Sequence, residues 1–286
     1  HLTIIGDRES DIYEELVEIP DEHCDLLIRS GRDRRLHDSK EHLFGFLSSL
    51  PVRGENCIEI KGHKKRKDRV AQLEIRYERV KIARPMNRRG SELPPYVELN
   101  AIEVREKDNS VPEGEEPIVW RLLTTHEIQS VEEAWMYVRW YSYRWWIEEL
   151  FRVLKKKGLQ VEEAQYESGL ALKRLVILCL QAALTIMQLK AAREGKYEVA
   201  PETVFEEQEL EFQTQLLPEL EGKTEKQKNP HPRTNLAWSA WIIARLGGWK
   251  GTYSKRASPG VLTMKRGLEA FYQLYRGWCL ARASPL

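Results

Sequence analysis

The segment from Tyr141 to Gly158, YSYRWWIEELFRVLKKKG, sets acidic, basic and aromatic side chains at helical spacing. A rotation of about 100° per residue places five of them within an arc of about 80° on one side of a helix, namely Tyr141, Arg144, Glu148, Arg152 and Lys155. One carboxylate among a phenol and three cations, with Trp145 beside them, suits a phosphate backbone and an unstacked base. A solvated helix face is the alternative, because Arg144–Glu148 and Glu148–Arg152 are i,i+4 ion pairs.

The element that positions these residues is predicted to be one helix over 131–157. Ser130 and Glu133 form a capping box at its start, and Gly158 follows its last residue. Apolar residues spaced three and four apart are expected to form its buried seam, namely Trp140, Tyr143, Ile147, Leu150 and Leu154.

Short alternating segments before this helix predict β-strands. The segment LTII ends in Gly6-Asp7 and precedes a helical pattern, which predicts a strand, a turn and a helix. Further strands are expected at 25–30, 57–62, 71–82, 96–106 and 118–125. The remaining predicted elements are helices at 168–194 and 201–215, a polar linker at 220–234 and two amphipathic helices after Asn235.

Overall composition identifies no partner by itself. Of the 286 residues 31% are charged, yet the net charge is only +1. The four cysteines have no C-x-x-C spacing and indicate reduced thiols, and the seven histidines lack metal-ligand spacing. The apolar run Leu175–Leu189 is shorter than the ~20 residues that span a bilayer. We therefore expect this run to form a buried core helix.

One stretch is strongly basic within this neutral chain. Between Lys61 and Arg89 there are twelve Lys or Arg against three Asp or Glu. Its densest cluster comprises Lys64, Lys65, Arg66 and Lys67. A basic surface of this kind favours phosphate binding. An edge strand kept soluble by its charges is the alternative.

The spacings in the segment described first resemble a known signature. Tyr141, two residues, Arg144, three residues, Glu148, six residues and Lys155 match the Y-(2)-R-(3)-E-(6)-K pattern of bacterial insertion-sequence DDE transposases, in particular the insertion-sequence-four family. Four other segments resemble the family in the same order along the chain, namely GDRESDIY, LLIRSGRDR, PIVWRLLTT and LAWSAWIIARLGGW. The resemblance therefore spans nearly the whole sequence.

The resemblance implies an α/β fold with three structural parts. It implies an RNase H-like catalytic core, incomplete at its N-terminus, with an inserted β-rich subdomain and an all-α C-terminal region. The core would comprise 1–23 and 118–219, the second stretch carrying the catalytic helix. The inserted subdomain would be 24–117, and a helical dimerisation region would be 235–286.

A two-metal site is also implied by the resemblance. Asp7 would be the second of two aspartates and Glu148 the glutamate, and these acids would hold two Mg²⁺ or Mn²⁺ ions, which prefer oxygen ligands. The first aspartate is expected upstream of His1, so the chain alone would have an incomplete active site and be inactive. Asp11 and Asp68 are poor replacements by position. Apart from the resemblance, Asp7 would be a helix N-cap or a turn residue.

Further residues would contact DNA. The residues that the resemblance places on transposon-end phosphates are Arg29, Tyr141, Arg144 and Lys155. Arg152 stands where the family more usually has lysine, so a planar fork replaces a point charge. Trp120 would stack on a base flipped out of the duplex, and Trp145 would lie beside the same pocket. Core packing is the alternative for both indoles, and an exposed strand charge is the alternative for Arg29.

The function implied is cut-and-paste DNA transposition in the bacterial cytoplasm, at the nucleoid when bound to DNA. The reaction would comprise strand cleavage, hairpin formation and strand transfer by a homodimer on transposon ends and target DNA, without membrane or nucleotide cofactor. The helices after Asn235 would form the dimer contact or, alternatively, complete a local core. The competing hypothesis is a non-catalytic DNA-binding or dimerising transposase remnant that acts as an inhibitor. A nuclease-like domain of another specificity is a third alternative.

Overall fold

The computed structural model describes residues 1–60, 69–88, 92–157, 159–195, 197–251 and 258–283. The chain divides into two compact units, His1–Trp145 and Trp146–Leu286. The first contains a β-sheet with helices and the second is helical. The α/β class predicted from the sequence is therefore confirmed. The division into a core, an insert and a C-terminal region stays a prediction.

The first unit is organised around a single mixed sheet. Its strands are β1 (Leu2–Gly6), β2 (Cys24–Arg29), β3 (Gly54–Ile60), β4 (Arg69–Ala83), β5 (Tyr96–Glu106) and β6 (Val119–Thr124). They are arranged as a six-stranded sheet in the order β1-β2-β6-β5-β4-β3. β1 and β2 pair in parallel, with Gly6 opposite Ile28, and the other neighbours pair antiparallel. The predicted strands are confirmed to within a few residues, because alternating side chains mark a sheet with two different faces.

Helices cover both faces of this sheet. They are α1 (Tyr13–Glu18), α2 (Leu43–Ser49) and α3 (Val131–Ser142). α1 and α2 share one apolar core with the sheet, and α3 shares another. In β2, Leu26 and Ile28 belong to the first core while Leu27 belongs to the second. The centre of β2, Leu26 to Ile28, is therefore an apolar run that is buried on both sides.

The helix predicted over 131–157 is interrupted after Ser142, and this prediction is wrong. A second helix, α4, spans Trp145–Arg152, and a π-helical turn, Val153–Lys157, follows it. The Ser142 hydroxyl donates to the Arg139 carbonyl at 2.6 Å. In a continued helix that carbonyl would accept the N–H four residues later. The N–H groups of Tyr143 and Arg144 instead donate to the carbonyls three residues earlier, at 3.0 and 3.1 Å. These shorter loops tighten the last turn of the helix.

This break changes which side of the segment is buried. Tyr143 and Ile147, which were expected in the buried seam, are 50% and 51% exposed. Tyr141, expected on the polar side, is only 3% exposed. It continues the apolar stripe of α3, whose other buried members are Ala134, Tyr137 and Val138. Tyr141 is therefore a core residue of the first unit with a polar tip.

The second unit consists of helices packed around one central helix. They are α5 (Gly169–Ala192), α6 (Glu207–Leu220), α7 (Leu236–Leu246) and α8 (Val261–Ala283), with α4 at the start. Every α7 residue from Leu236 to Ala244 is buried. α6 begins six residues after the predicted 201, because Glu206 and Glu209 form a capping box at its start.

The C-terminal helices complete a local core, which was one of the two alternatives. Trp238, Trp241, Ile242 and Phe271 are buried in the core of the second unit, while Leu274 is 47% exposed. Dimerisation through these helices stays a prediction.

Helices α7 and α8 approach each other closely. A Cβ at Gly267 would overlap the carbonyl oxygen of Ile243, and a Cβ at Gly247 would overlap that of Thr263. Glycine is therefore required at both crossing points, because any side chain would force the helices apart.

Helix α5 is less buried than the sequence predicted. Ala183, Ile186, Met187 and Leu189 are buried, but Leu170, Ile177, Leu178 and Leu184 are more than half exposed. Only one side of α5 packs in the core, so the expected buried core helix is confirmed on that side alone. Among the described residues, α5 is the helix long and apolar enough to cross a membrane by length and composition.

Candidate active site

Asp7 lies at the C-terminal end of the parallel β1–β2 pair. β1 ends at Gly6, and Asp7 has extended backbone dihedrals before the short turn Arg8–Ser10. Asp7 stands at the N-cap position of this turn, as the alternative expected, although its side chain makes no capping hydrogen bond. The carboxylate is directed toward side chains from other elements.

Three of these side chains surround the Asp7 carboxylate. The Tyr141 hydroxyl, from the last turn of α3, donates to Oδ1 at 3.1 Å. The Arg144 guanidinium lies 3.4 Å from Oδ2. Arg29 is the last residue of β2. Its positive charge stabilises the ionised Asp7, and its side chain hydrogen-bonds to the Tyr141 hydroxyl. The structure thus brings together four residues that the sequence singled out.

The electrostatics of this cluster favour an ionised acid beside a neutral phenol. Burial opposes ionisation of Asp7, but the backbone N–H of Arg8, the Tyr141 hydroxyl and the charges of Arg144 and Arg29 together hold its pKa below the ordinary value. Burial and the neighbouring Asp7 charge raise the pKa of Tyr141. At neutral pH, Asp7 is therefore a carboxylate and Tyr141 is a hydrogen-bond donor.

Two indoles flank this cluster. Trp120, on β6, packs edge-on against the Tyr141 ring, with the ring centroids 5.6 Å apart. Trp145 is 60% exposed, and the Arg144 guanidinium lies 5.7 Å from the centroid of its ring. Trp120 is thus half-buried against the core, whereas Trp145 offers an exposed aromatic face beside a cation.

The remaining signature residues lie in the second unit. Glu148 is exposed on α4. Arg152 pairs with Glu149, and Lys155 lies 2.8 Å from Glu162. Because Asp7 belongs to the first unit and Glu148 to the second, the expected meeting of these two carboxylates stays a prediction.

Glu149 is a residue whose role the sequence reasoning missed. It is more buried than its neighbour, with 16% of its side chain exposed, and it pairs with both Arg152 and Lys190. Burial opposes ionisation of Glu149, but the two cations hold its pKa below the ordinary value. Glu149 therefore ties α4 to α5. Its i,i+3 spacing to Arg152 was the available signal.

The predicted basic cluster, Lys64, Lys65, Arg66 and Lys67, lies outside the described residues. The flanking strands β3 and β4 pair antiparallel, with Ile60 opposite Arg69. The cluster therefore falls within the connection between two paired strands, and its phosphate-binding role stays a prediction.

The Asp7 carboxylate is suited to be one ligand of a hard divalent cation, because it is ionised, partly exposed and held in one orientation. Among the described residues no group of three or more acidic, histidine or cysteine side chains could hold a metal ion. Asp11, four residues further on, is 1% exposed and its oxygens are engaged by neighbouring groups. Asp11 is therefore not available to complete a metal site.

No protein-family model matches the sequence. Any assignment of function therefore depends on the residues around Asp7 and on the signature that they share.

Proposed function

We propose that the chain is part of a DDE-type DNA transposase, an enzyme that breaks and joins DNA by metal-dependent phosphoryl transfer. The observation that carries the proposal is the convergence of signature residues on Asp7. Tyr141 is 134 positions away in sequence, yet its hydroxyl bonds to this carboxylate. Arg144 and Arg29 add two guanidinium groups around the same acid. A generic solvated helix face would not bring these residues to one strand end.

The finer architecture of the proposal follows from the resemblance. β1, β6 and α3 would belong to an RNase H-like core, and β2 to β5, which lie within 24–117, to an inserted β-rich part. Support comes from the parallel β1–β2 pair, which ends next to Asp7, and from α3, which covers the same sheet. Open α/β sheets place their ligands at the carboxyl ends of strands.

Asp7 and Glu148 would hold the metal ions, with a third carboxylate still required. Bound Mg²⁺ or Mn²⁺ would activate a water or a 3′-hydroxyl and stabilise the leaving oxygen of an in-line displacement. Tyr141 would keep the Asp7 carboxylate oriented, since its hydroxyl donates to Oδ1. A buried phenol that holds an acid is a different role from the direct phosphate contact expected from the sequence.

The cations would bind the phosphate backbone, and the aromatic faces would bind bases. Arg29 and Lys155 carry side chains suited to phosphate. Trp145 is exposed enough to stack on an unpaired base, and Trp120 would need to leave its packing against Tyr141 to do so. A homodimer on DNA would complete the assembly.

The first experiment measures duplex DNA binding by the whole chain over a salt series. Each phosphate contact contributes about 0.9 to the slope of log K against log salt. Lys155→Gln should therefore reduce the magnitude of this slope by about 0.9, the share of one phosphate contact. Lys228→Gln is a matched control, because both lysines are about half exposed and each is paired with a glutamate. Equal slopes for both variants and wild type would exclude the phosphate role of Lys155.

The second experiment measures Mn²⁺ binding by electron paramagnetic resonance. Asp7→Asn and Glu148→Gln should each weaken binding, while Asp38→Asn, at an exposed ion pair with Lys81, should not. DNA binding together with metal binding supports the enzyme. DNA binding without any dependence of metal binding on these acids favours the non-catalytic remnant. Absence of both would refute the two hypotheses together.

A further inference from the structure

Asp11 is a fully buried acid that holds a neighbouring loop. Its Oδ2 accepts hydrogen bonds from the N–H groups of Gly31 and Arg32 at 2.8 and 3.0 Å and from the Ser30 hydroxyl at 3.3 Å. Its Oδ1 accepts from Arg34 Nε at 2.7 Å and lies 2.6 Å from Arg34 Nη2, which donates to the Asp11 backbone carbonyl at 2.6 Å. The side chains of Asp11 and Arg34 are almost completely excluded from solvent, with 0% and 6% of their surface exposed, respectively. We call these five residues the Asp11 clamp.

The Asp11 clamp connects two strand ends that meet at the candidate site. Asp11 follows Asp7 by four residues, and the clamped loop begins directly after Arg29, where β2 ends. A second contact reinforces this connection. A Cβ at Gly31 would lie 3.0 Å from the Arg8 Cβ and 3.1 Å from its carbonyl oxygen, so the two backbones are already in close contact.

The arrangement has a direct geometric consequence. Arg29 is the residue immediately before the clamped loop, and its guanidinium acts on Asp7 and Tyr141. Ser30, the next residue, is held by its hydroxyl on Asp11 and by its N–H on the Arg121 carbonyl at 2.8 Å, so a displacement of the loop acts on the backbone directly after Arg29. Buried charge-assisted hydrogen bonds that leave both partners satisfied resist such shifts. The clamp therefore restricts where Arg29 can place its charge.

We propose that Asp11 is a positioning residue that acts through the Ser30–Arg34 loop to fix Arg29 beside the Asp7 carboxylate, ready to bind a DNA phosphate. The phosphate part of this inference depends on the proposed function, whereas the positioning of Arg29 does not. Asp11 itself touches neither DNA nor metal in this scheme.

The positioning is tested without DNA by nuclear magnetic resonance of the arginine Nε–Hε groups in the whole chain. The Arg29 signal is assigned by its loss in Arg29→Gln. Asp11→Asn should move or broaden that signal. Glu106→Gln is the matched control, because the Glu106 side chain is also 0% exposed and pairs with an arginine, Arg69, which is 11% exposed, on another part of the sheet. An Arg29 signal that is unchanged by Asp11→Asn, or changed equally by Glu106→Gln, overturns the proposal.

Gly31→Ala provides a second variant if Asp11→Asn does not fold. The added methyl group presses on Arg8 and displaces the loop while the Asp11–Arg34 ion pair stays intact. It should perturb the Arg29 signal as well. An unperturbed signal in a folded Gly31→Ala protein likewise overturns the positioning role.

The consequence for binding is tested with a double-mutant cycle on duplex DNA. Arg29→Gln should weaken binding by about tenfold, as expected for loss of one charge-assisted contact. Asp11→Asn should weaken binding comparably, and should add nothing in the Arg29→Gln background, because Asp11 acts through Arg29. Independent, multiplicative losses would show a general structural role instead. If the wild-type chain binds no DNA, the proposed function fails while the resonance experiment still decides the positioning of Arg29.

Discussion

The hydrogen bond from Tyr141 to Asp7 makes a specific prediction about stability and pH. Tyr141→Phe removes one hydroxyl from a side chain that is 3% exposed and leaves the ring packed in the core. The acceptor is a carboxylate, and hydrogen bonds to charged groups contribute about 1.5–3 kcal/mol. Because 30% of the Asp7 side chain is exposed, water replaces part of the lost contact. We therefore expect a loss at the lower end, about 1.5–2 kcal/mol at pH 7.

The pH dependence follows from the lowered pKa of Asp7. Burial opposes its ionisation, but the Arg8 N–H, Tyr141 and the two arginines together bring the pKa below the ordinary 3.8. A carboxyl with a lower pKa in the folded state stabilises the protein above its unfolded pKa. That stabilisation is lost as the pH falls through the folded pKa. The difference between wild type and Tyr141→Phe should thus be full above pH 5 and shrink below about pH 4.

Urea unfolding between pH 7 and pH 3 measures this difference, with Tyr137→Phe as the matched control. Tyr137 is on the same helix, is 6% exposed, and donates to the backbone carbonyl of Glu127 at 3.2 Å. Its neutral hydrogen bond should contribute about 0.5–1.5 kcal/mol with no pH dependence in this range. A Tyr141→Phe effect that is equally constant with pH would refute the ionised Asp7–Tyr141 contact.

The remaining predictions concern the second unit. Gly267→Ala should destabilise the protein by about 1–3 kcal/mol, because its methyl group overlaps the facing helix. Gly277→Ala on the same helix meets nothing within 4 Å and should stabilise it by about 0.5–1 kcal/mol; thermal unfolding compares the two, and similar effects would contradict the close crossing. Lys190→Met should cost about 1–2 kcal/mol by leaving the largely buried Glu149 with Arg152 alone, as measured by urea unfolding; an unchanged midpoint would argue against the tie between α4 and α5. If the proposed function holds, Glu148→Gln in a protein with the complete carboxylate set should abolish transposon-end cleavage while retaining DNA binding, as gel assays would measure; normal cleavage would exclude Glu148 as a metal ligand.

The strands could be predicted because their signal is local. Alternation of apolar and polar residues in β4 and β5 reflects the two faces of each strand. The end of α3 could not be predicted in this way. Helical periodicity continues through Tyr143 and Ile147, and the competing hydrogen bond from Ser142 leaves no mark on a pattern of hydrophobicity. The burial of Tyr141 was missed for the same reason, because it depends on where the helix ends.

Some contacts of the candidate site could likewise be expected from the sequence, and others could not. The grouping of Tyr141 and Arg144 with Asp7 was expected only through the resemblance to a known family, because spacing alone does not connect Asp7 to the helix. The partners of Asp11 were not, since its acceptor oxygens are filled by backbone N–H groups and by a side chain some twenty positions away. Contacts between segments of this kind are set by the tertiary fold.

The pairing of β1 with β2 has a consequence for the precision of the site. Gly6 stands opposite Ile28, which sets Asp7 and Arg29 at matching positions one step beyond the ladder. Sliding one strand past the other by a single residue would displace the acid from the guanidinium by about 3.3 Å and turn it to the opposite side. The side chains of β2 forbid such a slip, because Asp25 and Arg29 share one face with Leu27 while Cys24, Leu26 and Ile28 share the other. The strand therefore specifies its own alignment, and a misaligned pair would separate the acid of the candidate site from its guanidinium and also turn Asp25 toward the other core.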